Sequence, residues 1–244
     1  MTWVVLPGLA LAPSDYAPLA AALGADGTPV HVVDSWRVPV TGPVDDVRDA
    51  VGANGPVRLV GHSVGGLAAL EWALRHPGEV DRLVLLDPTS PYDADPTLLH
   101  PGRAGARVAE RLVELGARVA AGSGPRLRSL TLRGGGVTRD TLDGDEARRR
   151  LGTPEAWRFL ASEWSASWAQ VPRVRRMLDA GATVPATARP VHVVGLRHAG
   201  RAFLRSQGEL ASRVGSHRLA VADAGHLFPL VHPRTVARIA LADR

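Results

Sequence analysis

Leu59-Val60-Gly61-His62-Ser63-Val64-Gly65-Gly66 sets one serine between two glycines, where an apolar run gives way to a helical pattern. Arg58, Leu59 and Val60 close the run; Leu67, Ala68, Ala69, Leu70, Trp72, Ala73 and Leu74 carry the pattern that follows. A G-x-S-x-G spacing at a strand-to-helix junction makes a tight turn that lifts the serine hydroxyl above the end of a sheet. Such a turn needs small neighbours, because the backbone before and after the serine nearly touches. Gly61 and Gly65 meet that need. In a chain with 26 glycines the spacing alone is weak. The plain alternative is a glycine-rich turn with a solvated serine at a helix start. The apolar strand before it and the long helix after it favour a serine poised to react.

Outward from this turn, short apolar runs alternate with helical patterns, which implies β-α units and a parallel sheet. Strands are expected over residues 3–6, 30–34, 57–60 and 82–86, with helices over 14–23, 44–51 and from the turn to Arg75, where His76-Pro77 stops it. From 89 to 188 the rhythm breaks. Helices are expected there over 103–120, 139–151, 154–170 and 173–180, and no buried strand. A stretch of roughly 100 residues is too long for a plain crossover connection. Alternation returns with a strand over 191–195, a helix near 201–214, a strand over 218–222 and a last helix from Pro233. The expectation is an α/β, doubly wound, mostly parallel sheet of about six strands. Residues 1–88 and 189–244 would form this core, and 89–188 an inserted helical cap.

The 244 residues, 45% hydrophobic and 22% charged, suit one globular domain with a buried core. Cysteine is absent, which removes disulfides, thiolate metal sites and a cysteine nucleophile. All 29 basic side chains are arginine, and the net charge is +5. The arginines are scattered, with short clusters at Arg148-Arg149-Arg150 and at Arg173, Arg175 and Arg176. Without interleaved aromatics they read as solvated helix faces, so no nucleic-acid partner is expected. No signal peptide is apparent at the amino terminus, and no apolar run is long enough to cross a bilayer. The expectation is a cytoplasmic protein with no membrane partner. Metal-ligand spacing, a phosphate-cradling loop and a dinucleotide fingerprint are all missing, so neither metal nor cofactor is expected.

Four marks, Leu6-Pro7-Gly8-Leu9, the Ser63 turn, Leu85-Leu86-Asp87-Pro88 and Ala224-Gly225-His226, together resemble the α/β-hydrolase fold with a serine nucleophile. The likeness covers nearly the whole chain, and the order Ser, Asp, His is the one this fold uses. The expected sheet starts at the first parallel strand, without the antiparallel hairpin that commonly precedes it in this family. The resemblance implies a serine hydrolase with a small-molecule substrate: Ser63 attacks a carbonyl and a histidine takes its proton. His226 follows the strand at 218–222 through Asp223-Ala224-Gly225, in a loop that can fold back over the sheet top. The other reading of His226 is a polar loop residue. His62 should point away from the serine and bond behind the turn, since side chains alternate faces near a strand end. His31 and His192 lie within strands.

The orienting acid departs from the family pattern. Relatives commonly place it after the strand at 191–195, where this chain has Gly195-Leu196-Arg197-His198-Ala199-Gly200 and no carboxylate. Asp87, ending the strand after the serine helix, offers a relocated acid; it also reads as a strand-end aspartate capping the turn into Pro88. Asp93 and Asp95 are further candidates. Asp223 is too close to His226 in sequence, and Asp34 reads as support for the sheet edge.

By resemblance, the oxyanion is held by the backbone amides of Val64 and Leu9, with Gly8 allowing close approach; Pro7-Gly8 also reads as a simple turn. Losing one such donor costs about 3 kcal/mol of transition-state stabilisation. Trp157, Leu160, Trp164 and Trp168 share one helical face. That face is either the roof of an apolar pocket, where the tryptophans and His198 would touch substrate, or a packing seam. The resulting expectation is hydrolysis of an ester or related acyl bond of a small, largely apolar substrate through an acyl-enzyme. The alternatives are thioester or carbon–carbon hydrolysis or acyl transfer by the same residues, or a non-catalytic relative that binds a ligand or partner.

Overall fold

The computed structural model describes residues 1–52, 55–93, 102–197, 199–221 and 223–242. The core elements open with β1 (Thr2–Leu6), a 3-10 turn (Pro13–Tyr16), α1 (Ala17–Leu23), β2 (Val30–Val32), α2 (Val44–Val51), β3 (Val57–His62), α3 (Val64–Arg75) and β4 (Val80–Leu86). Four helices follow before the next strand: α4 (Gly102–Ala120), α5 (Gly124–Gly134), α6 (Gly144–Leu151) and α7 (Pro154–Asp179). The chain then returns to the sheet with β5 (Val191–Gly195), α8 (Arg201–Val214), β6 (His217–Val221), α9 (Phe228–Val231) and α10 (Pro233–Leu241).

The six strands form a single parallel sheet in the order β2-β1-β3-β4-β5-β6, flanked by helices. Alternate side chains of each strand enter opposite faces. Val4, Leu6, Leu59, Leu83 and Leu85 face α3 through Leu67, Leu70 and Trp72. Trp3, Val5, Val60, Val84, Leu86 and Val193 face Leu19 and Leu23 of α1, together with Phe228, Val236 and Ala240. The inner strands β1, β3, β4 and β5 are buried on both faces and so read as near-continuous apolar runs, whereas the edge strands β2 and β6 are partly exposed. The order reverses between β1 and β3, and the crevice beyond their carboxyl ends is where such sheets bind ligands. Leu6 leads there into Pro7-Gly8-Leu9, and His62 into Ser63.

The helical segment differs from expectation in three places. Residues 154–170 and 173–180 form one helix, α7, which runs through Pro172. A proline inside a helix costs about 3 kcal/mol, and burial on both sides of it offsets that. Glu163 accepts from Thr41, Gln170 and Arg173 bond to Glu71 on α3, and Val174 and Leu178 join the core. α6 begins at Gly144, not 139, because Asp143 caps it by accepting from the amides of Asp145 and Glu146. α5 was not anticipated. Its buried face carries Arg128 and Leu132, while Leu127 and Leu130 are exposed, so no apolar period marks it. No described helix is long and apolar enough to cross a membrane.

Candidate active site

β3 runs into α3 with no loop between them, and Ser63 alone makes the corner at φ 56° and ψ −121°. The glycines around it are demanded by close backbone approach. A Cβ on Gly61 would sit 2.4 Å from the Gly65 carbonyl oxygen, and one on Gly65 would sit 2.2 Å from that of Leu6. The turn is tied down by the Ser63 amide on the Leu86 carbonyl (3.0 Å) and by the Thr89 amide on the Ser63 carbonyl (2.9 Å). Among the described residues four non-glycines have positive φ. Three of them, Ala10 (63°), Ser63 (56°) and Asp87 (40°), lie at this site. Such conformations cost about 1–3 kcal/mol each and persist only where the surroundings enforce them.

His226 sits in the turn between β6 and α9, half-exposed, with its Nδ1 3.3 Å from Asp87 Oδ2. Asp87 is buried, 2% exposed. Its amide donates to Val193 (2.9 Å), and its Oδ1 accepts from the Gly195 amide (3.0 Å). The last residue of β5, just before the loop where the family pattern would put an acid, thus supplies a backbone donor to an acid that directly follows β4. Gly195 also lets the histidine loop come near. A Cβ there would stand 2.8 Å from the Gly225 carbonyl oxygen, and the Arg197 amide donates to Ala224 (2.9 Å). No simple motif marks Gly195 for this work.

Ser63 and His226 border one cavity of about 360 Å³, together with Gly8, Leu9, Trp157 and Leu160. No hydrogen bond joins the Ser63 hydroxyl to His226 in this conformation; unliganded sites often tighten such contacts only around substrate. Neither the Leu9 nor the Val64 amide has an acceptor among the described residues, so both stay available beside Ser63. A Cβ on Gly8 would lie 3.3 Å from Ser63 Cβ. The Gly8 loop is held from two sides: the Gly8 amide donates to the Tyr16 hydroxyl oxygen (3.0 Å), and Arg128 Nη1 donates to the Ala10 carbonyl (3.3 Å). Arg128 is itself fixed by Asp15 (2.6 Å) and Asp140 (2.8 Å). His62 is buried behind the elbow and also reaches the cavity wall. Desolvation, with His226 close by, holds its imidazole down to about 3.

The remaining candidates fall elsewhere. Trp157 and Leu160 line the cavity; Trp164 and Trp168 do not. Leu11, Leu132, Leu151 and Leu227, which no motif singles out, complete its apolar wall. His198 and Asp95 lie outside the described residues. Asp93 bonds to Ser206, and Asp223 is exposed. Asp34 pairs bidentately with Arg150 of α6 at 2.8 and 2.9 Å, which lowers its carboxyl and engages it in a bridge to the helical segment. Among the described residues no group of three or more His, Asp and Glu converges as a metal site would require. A second cavity of about 480 Å³, lined by Arg82, Val191 and His217, opens at the amino ends of the strands, away from Ser63.

A parallel doubly wound sheet with a strained serine at its switch point defines a class, and the chain belongs to it: the alpha/beta hydrolase family, whose model matches residues 3–239. No curated protein is significantly similar in sequence. Among solved structures, wild-type Cfl2 from Burkholderia cenocepacia is similar at a TM-score of 0.73 and 20% identity, over 98% of this chain and 86% of that one. MenH from S. aureus gives 0.66 at 16% identity, over 99% and 92%. A structure from work on carboxylesterases of Nitrososphaera gargenis gives 0.63 at 16% identity, over 98% and 87%. Identities this low carry the fold alone.

Proposed function

We propose that this protein is a serine hydrolase that cleaves an ester or related acyl bond of a small, largely apolar substrate through an acyl-enzyme. The observation that carries the reading is the His226–Asp87 hydrogen bond beside a cavity that Ser63 and His226 share. Ser63 Oγ bonds to the carbonyl carbon while its proton passes to His226 Nε2. The carbonyl electron pair moves onto oxygen, where the Leu9 and Val64 amides and the positive end of α3 hold it. The tetrahedral centre collapses, the bond to the leaving oxygen breaks, and that oxygen takes the proton from His226. Water repeats the sequence on the acyl-enzyme and frees the acid. Asp87 accepts from Nδ1–H throughout, which keeps the imidazole in the tautomer that can receive a proton at Nε2.

Residues 89–188 act as a cap on the core formed by 1–88 and 189–244. Trp157 and Leu160 of α7 and Leu132 of α5 roof the cavity opposite Ser63. With Leu9, Leu11, Leu151 and Leu227 they leave little besides Thr131 and the ion-paired Arg128 to meet a polar substrate group. An acyl chain or an apolar alcohol fits such walls. No step calls for a cofactor. Thioester cleavage and acyl transfer follow the same steps with a different leaving or accepting group, and a substrate panel separates them.

Ser63→Ala tests the reading. Hydrolysis of short p-nitrophenyl esters should vanish while the protein stays folded; turnover equal to wild type in that variant would end the proposal.

A further inference from the structure

Behind the elbow, buried groups join in a line that no step of the reaction uses. The Gly8 amide donates to Tyr16 Oη at 3.0 Å. Tyr16 Oη lies 2.6 Å from His62 Nδ1, and His62 Nε2 lies 2.9 Å from the carbonyl oxygen of His226. An amide only donates and a carbonyl only accepts, so the two ends fix every proton between them. Tyr16 must donate to Nδ1, and His62 must carry its single proton on Nε2. A second proton on Nδ1 would face the tyrosine oxygen and leave the tyrosine's own proton without an acceptor.

The surroundings agree with that assignment. Tyr16 and His62 are both buried, and their rings meet edge to face with centroids 6.1 Å apart. Burial pushes the Tyr16 hydroxyl up, and burial beside His226 holds His62 down, so neither ionises near neutrality. The His62 ring also lies against that of His226, centroids 4.8 Å apart. The line therefore ties three segments to the residue before Ser63: the loop after β1, the 3-10 turn before α1, and the turn after β6. Leu9, between Gly8 and Ala10, has both its neighbours anchored, since the Gly8 carbonyl accepts from Leu11 (3.2 Å) and the Ala10 carbonyl from Arg128 (3.3 Å).

We propose that Tyr16 and His62 form a brace that sets the Gly8–Leu9 amides and the His226 backbone at fixed positions around Ser63, with the Nε2–H tautomer of His62 as its pin. The proposal rests on the reading of Ser63 as nucleophile and His226 as base. Both brace members are positioning residues, acting through the backbone of Gly8 and His226.

Tyr16→Phe removes one oxygen and breaks the line at its centre. With active sites counted by fluorophosphonate titration, kcat per site should fall about tenfold to hundredfold, with KM held within about threefold. A role in stability alone would lower the melting temperature and leave kcat per titrated site unchanged, and that result overturns the brace. A second measurement needs no variant. In the 15N spectrum of histidine-labelled wild type, the His62 ring should carry its proton on Nε2 at neutral pH. An Nδ1–H tautomer overturns the brace. Failure of the enzymatic reading looks different: wild type then hydrolyses no ester and takes up no fluorophosphonate, and the brace falls with it.

Discussion

Asp87 and Gly195 are joined across two neighbouring strands: the carboxylate of one accepts the backbone amide of the other at 3.0 Å, while its second oxygen faces His226. The carboxylate is thereby held on two sides inside a buried corner, with no freedom to turn from the imidazole. An amide at the last residue of β5 and an acid just past the end of β4 make an arrangement that is read only when the two strands are seen side by side.

Asp87→Asn should slow fluorophosphonate labelling of Ser63 by roughly a thousandfold, because the amide stabilises the wrong imidazole tautomer and cannot balance an imidazolium. Asp93→Asn, at a residue bonded to Ser206, should leave labelling near the wild-type rate. Equal labelling by Asp87→Asn and wild type would remove Asp87 from the proposed triad.

Gly65→Ala should destabilise the fold sharply, since its Cβ would stand 2.2 Å from the Leu6 carbonyl oxygen, and backbone on both sides blocks relief. A cost of about 3 kcal/mol or more is expected, or roughly a 10 °C fall in melting temperature. A variant that melts with wild type would contradict the close approach of β1 and α3.

Trp157→Ala should shift chain-length preference, because Trp157 borders the cavity while Trp164 and Trp168 do not. Relative kcat/KM for longer acyl esters should rise about tenfold. Trp164→Ala is the control and should keep the wild-type profile; an identical shift in both variants would place the specificity wall elsewhere.

Stability should decline in mild acid. Burial lowers His62 to about 3 and His192 to about 4, against 6.5 for an unperturbed ring. Tyr16 and His226 face the first ring; Gln207 bonds the second, with Arg218 and Asp87 nearby. Between about pH 4 and pH 6.5 the unfolded chain binds more protons than the folded one, so the stabilisation is full above that window and is lost as pH falls through it. The slope reaches about 1.4 kcal/mol per pH unit for each ring. Urea midpoints at pH 7.5 and pH 5 measure this, and His192→Asn should flatten the trend. A midpoint independent of pH would show that neither ring is buried neutral.

The sheet was legible because its signals are local. Valine and leucine runs at 3–6, 57–60, 82–86 and 191–195 all became strands, and the glycines at 61 and 65 announced a corner that only small residues can turn. α5 stayed hidden because its buried face carries Arg128 beside a single large apolar residue, Leu132, and the partners of Arg128, Asp15 and Asp140, lie far apart in sequence. Apolar periodicity does not register an ion pair. α7 was divided at Pro172 because proline breaks isolated helices, whereas here bonds to Glu71 and Thr41 hold both halves. Tyr16 gave no signal at all: its partners are 8 and 46 residues away, and nothing in Pro13-Ser14-Asp15-Tyr16 marks a contact with the serine turn.

The corner at residue 63 bends a side-chain-bearing backbone into a region where glycine is at ease. Ser63→Gly should accordingly melt higher than Ser63→Ala, by an amount set by relief of that torsion, and calorimetry of the two mutants would reveal it. Endurance and reactivity thus diverge at a single position: the sturdier molecule would be the one that transforms nothing.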